Sequence, residues 1–362
     1  MAIPAALFIK KYSYKSGILV GLALYAIGGI LFIPASLMGI FWPFLAAFFI
    51  MTCGLSFLET SANPYILSMG DESTATQRLN FAQSFNPIGS LIGIYIAREY
   101  ILSKMNSLGT DERAALSPGE FDIVKMADLS IVRGPYVAIG IVLIVMFILI
   151  LVTKMPRFQS GGGLDIKGTF RRLLKNVRYR EGVLAQAFYV GAQIAVWTYT
   201  IHYGTEVLMH EGMTENQAAA QSVGFNFIAT SIFTVSRFIC TFLLKYVSPG
   251  GLLMFLAIAA MLLLIPVMFT GGRTGLYSLI GVSACMSLMF PTIYGIALKG
   301  VGEDAKLGAA GLVMAIAGGS VIPPLQGLLI DQWSLQFSFI LPLACFAMVS
   351  LYGFRVLRVY EK

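Results

Sequence analysis

Glu59 lies in the middle of an apolar stretch from Trp42 to Met69 and is followed directly by Thr60-Ser61-Ala62-Asn63-Pro64-Tyr65. An ionisable side chain inside hydrocarbon costs about 2.5–3.5 kcal/mol on insertion scales, so it needs a compensating partner or a task. A carboxylate that can gain and lose a proton is such a task. Asn63 follows it by one helical turn. Gln83 and Asn86 stand at i and i+3, which puts both amides on one helix face. Pro64 and Pro87 have no N–H, which frees the carbonyls of Thr60 and Gln83, so both polar groups are expected beside a broken helix. One carboxylate and a few amides at such a place can converge on a small polyhydroxylated ligand. A second set runs along 183–208 as Gln186, Tyr189, Gln193, Trp197 and Thr200, which Asn226 and Tyr294, after Pro291, can join. Aromatic rings lie well against the C–H face of a sugar and amides bond its hydroxyls. The structural alternative is that amides such as Gln186, Asn226 and Gln326 only tie neighbouring membrane helices together.

The elements that must carry these residues follow from composition. Of 362 residues, 57% are hydrophobic and 12% charged, with a mean hydropathy of +0.79, which no water-soluble globule can bury. The chain is expected to be an all-α, polytopic membrane protein embedded in a lipid bilayer. Apolar stretches long enough to span are 16–36, 41–69, 79–103, 134–153, 183–208, 219–244, 251–270, 275–298, 307–330 and 335–354. Residues 1–9 form an incomplete further one and cover only about 13 Å at 1.5 Å per residue, so the expectation is a truncated start. Counted from the loop at Gly70, Glu59 is about 15 Å deep, near the midplane, and Gln83 and Asn86 are roughly 8 and 12 Å deep.

Charge placement sets the orientation. Eighteen of the 25 Lys and Arg residues, among them Lys10, Lys15, Arg78, Arg157, Lys245 and Lys362, fall on one side, against five on the other. The richer side, with the C-terminus, is cytoplasmic by the positive-inside rule. That placement accounts for the net charge of +7 and speaks against nucleic acid as a partner. Cys53, Cys240, Cys285 and Cys345 sit in apolar stretches with no C-x-x-C spacing, hence no metal site or disulfide framework is expected. The absence of G-x-x-x-x-G-K-[ST], H-E-x-x-H and G-x-S-x-G leaves neither an ATP motor nor a hydrolase to argue for, and no enzyme is expected.

The basic segment 154–182 divides the chain into bundles 1–153 and 183–362. It reads as a flexible link at Gly161-Gly162-Gly163 followed by an amphipathic helix, Phe170 to Tyr179, on the membrane surface. An internal repeat supports the division: Lys11-Tyr12 with Gly17-Ile18-Leu19 matches Lys245-Tyr246 with Gly251-Leu252-Leu253, and Gly89-Ser90-Leu91-Ile92 matches Gly319-Ser320-Val321-Ile322. Two homologous halves are a common transporter architecture, with the substrate at their interface. Segment 104–133 is read as an external loop with a short helix from Pro118 to Met126. Arg237 is expected to snorkel or to pair with Glu303 or Asp304. Arg98 and Glu99 are read as an interfacial pair, His202 as an interfacial residue, His210 as part of an external loop, and the glycines of 308–319 as close helix contacts.

Leu58-Glu59-Thr60-Ser61-Ala62-Asn63-Pro64-Tyr65 and Arg78-Leu79-Asn80-Phe81-Ala82-Gln83-Ser84-Phe85-Asn86 resemble the fucose permease branch of the major facilitator superfamily. So do Phe188-Tyr189-Val190-Gly191-Ala192-Gln193 with Trp197, and Pro291-Thr292-Ile293-Tyr294 with Lys299 and Gly302. The resemblance implies a proton-coupled sugar symporter of two pseudo-symmetric helical bundles in the bacterial inner membrane, here with ten full spans and a truncated one. It implies that Glu59 is one of two carboxylates that cycle through protonation, with the proton as coupling ion and no cofactor, and that Gln83 and Asn86 face the sugar. The chain departs from that pattern in two places. The family's other carboxylate belongs to a first helix that this chain does not contain, and Lys10-Lys11-Tyr12-Ser13-Tyr14-Lys15 carries no acidic residue for a gating salt bridge.

The expected substrate is L-fucose, bound through Gln83, Asn86, Asn63, Gln193, Trp197, Asn226 and Tyr294 in a monomer. Asn86-Pro87-Ile88-Gly89 also resembles glucose/galactose and amino-sugar relatives, which stay open as alternatives. A non-transporting sugar sensor and a facilitated-diffusion carrier are the competing readings.

Overall fold

The computed structural model describes every residue except 107, 109, 157–164 and 361–362; the expected link at Gly161-Gly162-Gly163, like Arg157 and Lys362, lies outside the described residues. Among the described residues every regular element is helical. Of the runs in these described residues, eight are long and apolar enough to cross a membrane: Tyr14–Met38, Phe41–Ser68, Pro118–Val152, Glu215–Leu243, Pro249–Phe269, Gly272–Leu298, Gly302–Gln332 and Leu335–Val359. The expected spans at 79–103 and 183–208 are occupied by helix as well, over 75–102 with one interruption and over Val177–His210. Helix Pro118–Val152 shows why water is the wrong solvent. Its most apolar window has a mean hydropathy of 3.0, yet only 6% of it is buried within the protein, so lipid must cover the rest.

Contacts divide the chain into two compact units, Met1–Asn63 with Ile92–Ser160, and Pro64–Leu91 with Gly161–Lys362. In the first, helices meet through glycine. A Cβ on Gly29 would stand 2.9 Å from the Tyr136 carbonyl, and one on Gly54 would stand 2.7 Å from the Gly21 carbonyl, so backbones pack against backbones. Phe32 and Tyr136 stack beside that crossing with centroids 3.9 Å apart. Lys15 Nζ donates to the carbonyls of Leu151 (2.9 Å) and Thr153 (2.8 Å), satisfying the C-terminal end of helix Pro118–Val152.

In the second unit, helix Val177–His210 runs through the core with Tyr189 and Tyr203 fully buried. Each hydroxyl finds a backbone carbonyl, Met286 at 2.9 Å and Val267 at 3.2 Å, as a buried phenol requires. The glycine run acts as expected. A Cβ on Gly318 would collide with the Ala187 carbonyl, and one on Gly319 with Ile194.

Four local expectations need correction. Pro118–Met126 is no separate short helix but the start of a 35-residue helix that continues to Val152. Ser117 opens it: its N–H (3.1 Å) and hydroxyl (2.6 Å) both donate to the Glu120 carboxylate, and Pro118 takes the first helical position. The amphipathic helix runs over Ile166–Lys175, not Phe170–Tyr179, because Asn176 stops it and caps the next helix through Tyr179 N. That helix also docks on protein. Leu173 and Thr169 are buried, and Arg172 holds Asp304 through two bonds of 2.7 and 2.8 Å. Asp304 keeps the Arg172 guanidinium well above its ordinary pKa, despite partial desolvation. Third, helix Phe41–Ser68 passes through Pro64 unbroken, whereas the 75–102 run does break, at Ser84 just before Pro87. Last, His210 is the final residue of helix Val177–His210, not part of a loop.

Candidate functional site

Glu59 is carried by the apolar helix Phe41–Ser68 and is half-buried. Asn63, one turn on and 4% exposed, donates its Nδ2 hydrogen to Glu59 Oε2 at 2.5 Å. Among the described residues no cationic side chain forms an ion pair with this carboxylate. The acid is therefore held by an amide, which can bond either protonation state. A neighbouring Lys or Arg would lock it as the anion.

Gln83 and Asn86 flank the break. Gln83 is the last residue of Ala75–Gln83 and half-buried, and Asn86 is exposed in the first turn of Phe85–Ile96. Asn86 makes no hydrogen bond to the described residues, so its amide is available to a ligand. The Gln83 carbonyl that Pro87 leaves without a donor is taken by Arg237 Nη1 at 3.0 Å. This overturns the expectation for Arg237. It neither snorkels nor meets Glu303 or Asp304; it is 5% exposed, and Asp304 belongs to Arg172.

The face along Val177–His210 separates into two groups. Gln186, Tyr189 and Thr200 are fully buried, whereas Gln193 and Trp197 are half-buried. Asn226 Nδ2 donates to the Trp197 carbonyl at 2.9 Å, the helix-tying role named as its alternative. The Trp197 ring meets Phe233 edge-on at 5.1 Å. Gln326 ties helices too, through Nε2 to Ser338 Oγ at 3.0 Å. The Gln186 amide finds no partner among the described residues. Tyr294 is fully buried and stacks at 6.3 Å on Phe290. Glu59 and Asn63 thus belong to the first unit, and the other candidates to the second.

Arg98 and Glu99 form the expected pair at 3.6 Å. His202 and His210 line a cleft of about 850 Å³ with Tyr199, Glu206 and Asp331. Their sequence positions gave no sign of that grouping. A polar link between Asn80 Nδ2 and Thr292 Oγ1 at 3.1 Å was also not foreseen, since 212 residues separate the two.

The model of the Major Facilitator Superfamily matches residues 1–321. The L-fucose-proton symporter of Haemophilus influenzae is 50% identical to the chain, over all of it and 86% of the relative. A glucose/galactose transporter of Brucella abortus is 30% identical over 98% of the chain and 81% of the relative. Among solved structures, that of a variant of the E. coli fucose:proton symporter FucP superposes with a TM-score of 0.90 at 35% identity, covering 97% of this chain and 86% of that one. The helical architecture, the half-buried carboxylate on its apolar helix and these likenesses agree: the chain belongs to the major facilitator superfamily, in its fucose:proton symporter branch.

Proposed function

We propose that this protein is a proton-coupled L-fucose symporter of the bacterial inner membrane that works by alternating access. The observation that carries the mechanism is Glu59, half-buried on an apolar helix with an amide, Asn63, as its hydrogen-bond partner and no cation paired to it among the described residues. Protonation removes the cost of a charge in that setting, so proton and sugar jointly permit the conformational exchange, and coupling follows from the shared condition. Gln83 and Asn86 supply amides to the sugar hydroxyls, with Asn63, Gln193, Trp197, Asn226 and Tyr294 completing the set. Ten full spans in bundles 1–153 and 183–362, joined by the cytoplasmic segment 154–182, with a cytoplasmic C-terminus and a monomeric state, complete the proposal.

The identity to the Haemophilus symporter favours L-fucose. Transport of glucose or galactose is the second reading, supported by the Brucella relative. The test is uptake by the protein reconstituted in vesicles with an acidic exterior. L-Fucose should accumulate, the medium should turn alkaline on its addition, and excess D-glucose or D-galactose should compete weakly. Accumulation of galactose in preference to fucose would transfer the assignment to the second reading. Equilibration without alkalinisation would make the protein a facilitated-diffusion carrier.

A further inference from the structure

Arg237 is a buried cation with no carboxylate. Helix Glu215–Leu243 holds it at 5% exposure, and none of the ion pairs among the described residues includes it. Its Nε donates to the Ser287 carbonyl at 2.5 Å and its Nη1 to the Gln83 carbonyl at 3.0 Å, while the Phe233 ring lies 4.6 Å from the guanidinium carbon. Those two carbonyls are related in a way that sequence order hides. In an α-helix the carbonyl of residue i accepts from the N–H of residue i+4. For Gln83 that residue is Pro87, and for Ser287 it is Pro291. Neither has an N–H to give.

Both carbonyls therefore lack their i+4 donor, and both lie where a helix is interrupted, at Ser84 and at residues 287–288. An unsatisfied carbonyl is costly where water is excluded. A planar guanidinium, with five N–H donors fixed along several directions, suits two diverging carbonyls at once. Two surrounding bonds join the same helices: Asn80 Nδ2 to Thr292 Oγ1, and Gln77 Nε2 to the Thr241 carbonyl at 3.2 Å.

We infer that Arg237 is a positioning residue of the sugar site. It clamps the two proline-opened turns together, fixing the Gln83–Asn86 turn against the Pro291–Tyr294 turn so that the amides of the first are presented in one geometry. The inference rests on the proposed roles of Gln83 and Asn86 in sugar binding.

The test is a mutational cycle in the full chain, purified into lipid nanodiscs, with Arg237→Met, the double variant Pro87→Ala/Pro291→Ala, and their combination. Restoring the two N–H groups should make the arginine dispensable. Arg237→Met alone should weaken L-fucose binding by at least about tenfold, the effect of withdrawing a charged donor, and speed amide hydrogen exchange in peptides spanning both turns. In the double-alanine background the same change should cost less than about threefold. An equal loss in both backgrounds, or unchanged affinity and exchange in Arg237→Met, would overturn the inference. Should Arg237→Met fail to fold, Arg237→Lys replaces it. An ammonium has three donors but lacks the fixed planar spread of Nε and Nη1, so Arg237→Lys should still weaken L-fucose binding and the Pro87→Ala/Pro291→Ala background should remove that loss; unchanged affinity, or an equal loss in both backgrounds, counts against the clamp. If the unaltered protein does not bind L-fucose, the sugar assignment fails while the exchange measurement still decides on Arg237.

Discussion

Glu59→Gln separates driving force from passage. The glutamine keeps the side-chain volume and an oxygen that can accept the hydrogen bond from Asn63 Nδ2, so the fold loses no more than about 1 kcal/mol, the worth of one neutral-for-charged exchange. No paired cation is left behind among the described residues, where none forms an ion pair with this carboxylate. What disappears is the proton. A membrane potential and pH gradient together worth about 150 mV supply roughly 3.5 kcal/mol per proton, enough to sustain a few-hundred-fold sugar gradient. The variant, neutral like the protonated acid, should bring the accumulation ratio in energised vesicles down to about one while still exchanging labelled for unlabelled L-fucose across the membrane. Uptake and counterflow measured in the same preparation give both numbers. Undiminished accumulation by Glu59→Gln would refute the protonation role, and loss of counterflow together with accumulation would show that the carboxylate is needed for passage itself.

Four further outcomes follow from the geometry. Asn86→Ala, at an exposed position with no hydrogen bond to the described residues, should weaken fucose binding about fivefold and leave the melting temperature unchanged, as read by binding and thermal unfolding of the purified protein. Asn226→Leu removes the bond to the Trp197 carbonyl and should cost about 0.6 kcal/mol of stability, the average for such interhelical bonds in membranes, measured by thermal unfolding. Gly318→Leu drives a side chain into the Ala187 carbonyl and should cost well above 1 kcal/mol, visible as loss of monodisperse protein on size exclusion. The Arg273 guanidinium, bound to Glu211 at 2.7 Å, holds that exposed carboxyl below its ordinary value of 4.5. A folded value lowered in this way contributes stability above the unfolded pKa and loses it as pH falls through the folded one. Arg273→Gln should therefore lower the melting temperature at pH 6 and leave it unchanged at pH 3.

The apolar runs disclosed most of the helices because hydrocarbon demands both length and composition; the stretch predicted at 251–270 is helix Pro249–Phe269. Glu59 stood out for the same reason, and its bond to Asn63 is a local i to i+4 contact that spacing alone suggests. Helix Pro118–Val152 was underestimated because its first turns are polar, and polarity marks exposure to water without ending a helix. Pro64 misled in the opposite direction, since a proline removes one bond but need not interrupt the turns around it. Arg237 was misjudged because depth along its own helix says nothing about Gln83 and Ser287, brought beside it by long-range packing. Two prolines and an arginine inside apolar runs were nonetheless the available signal.

Where Gly21 meets Gly54 and Gly29 lies against Tyr136 and Gly140, backbone packs against backbone, which leaves little side-chain freedom to absorb a displacement. The stretches of the three helices that cross there should travel as one block. Bending during a transport cycle must then be taken up elsewhere in the chain. A methyl group added at the glycine crossings would spoil the block, whereas the lipid-facing side of helix Pro118–Val152 should accept almost any apolar residue.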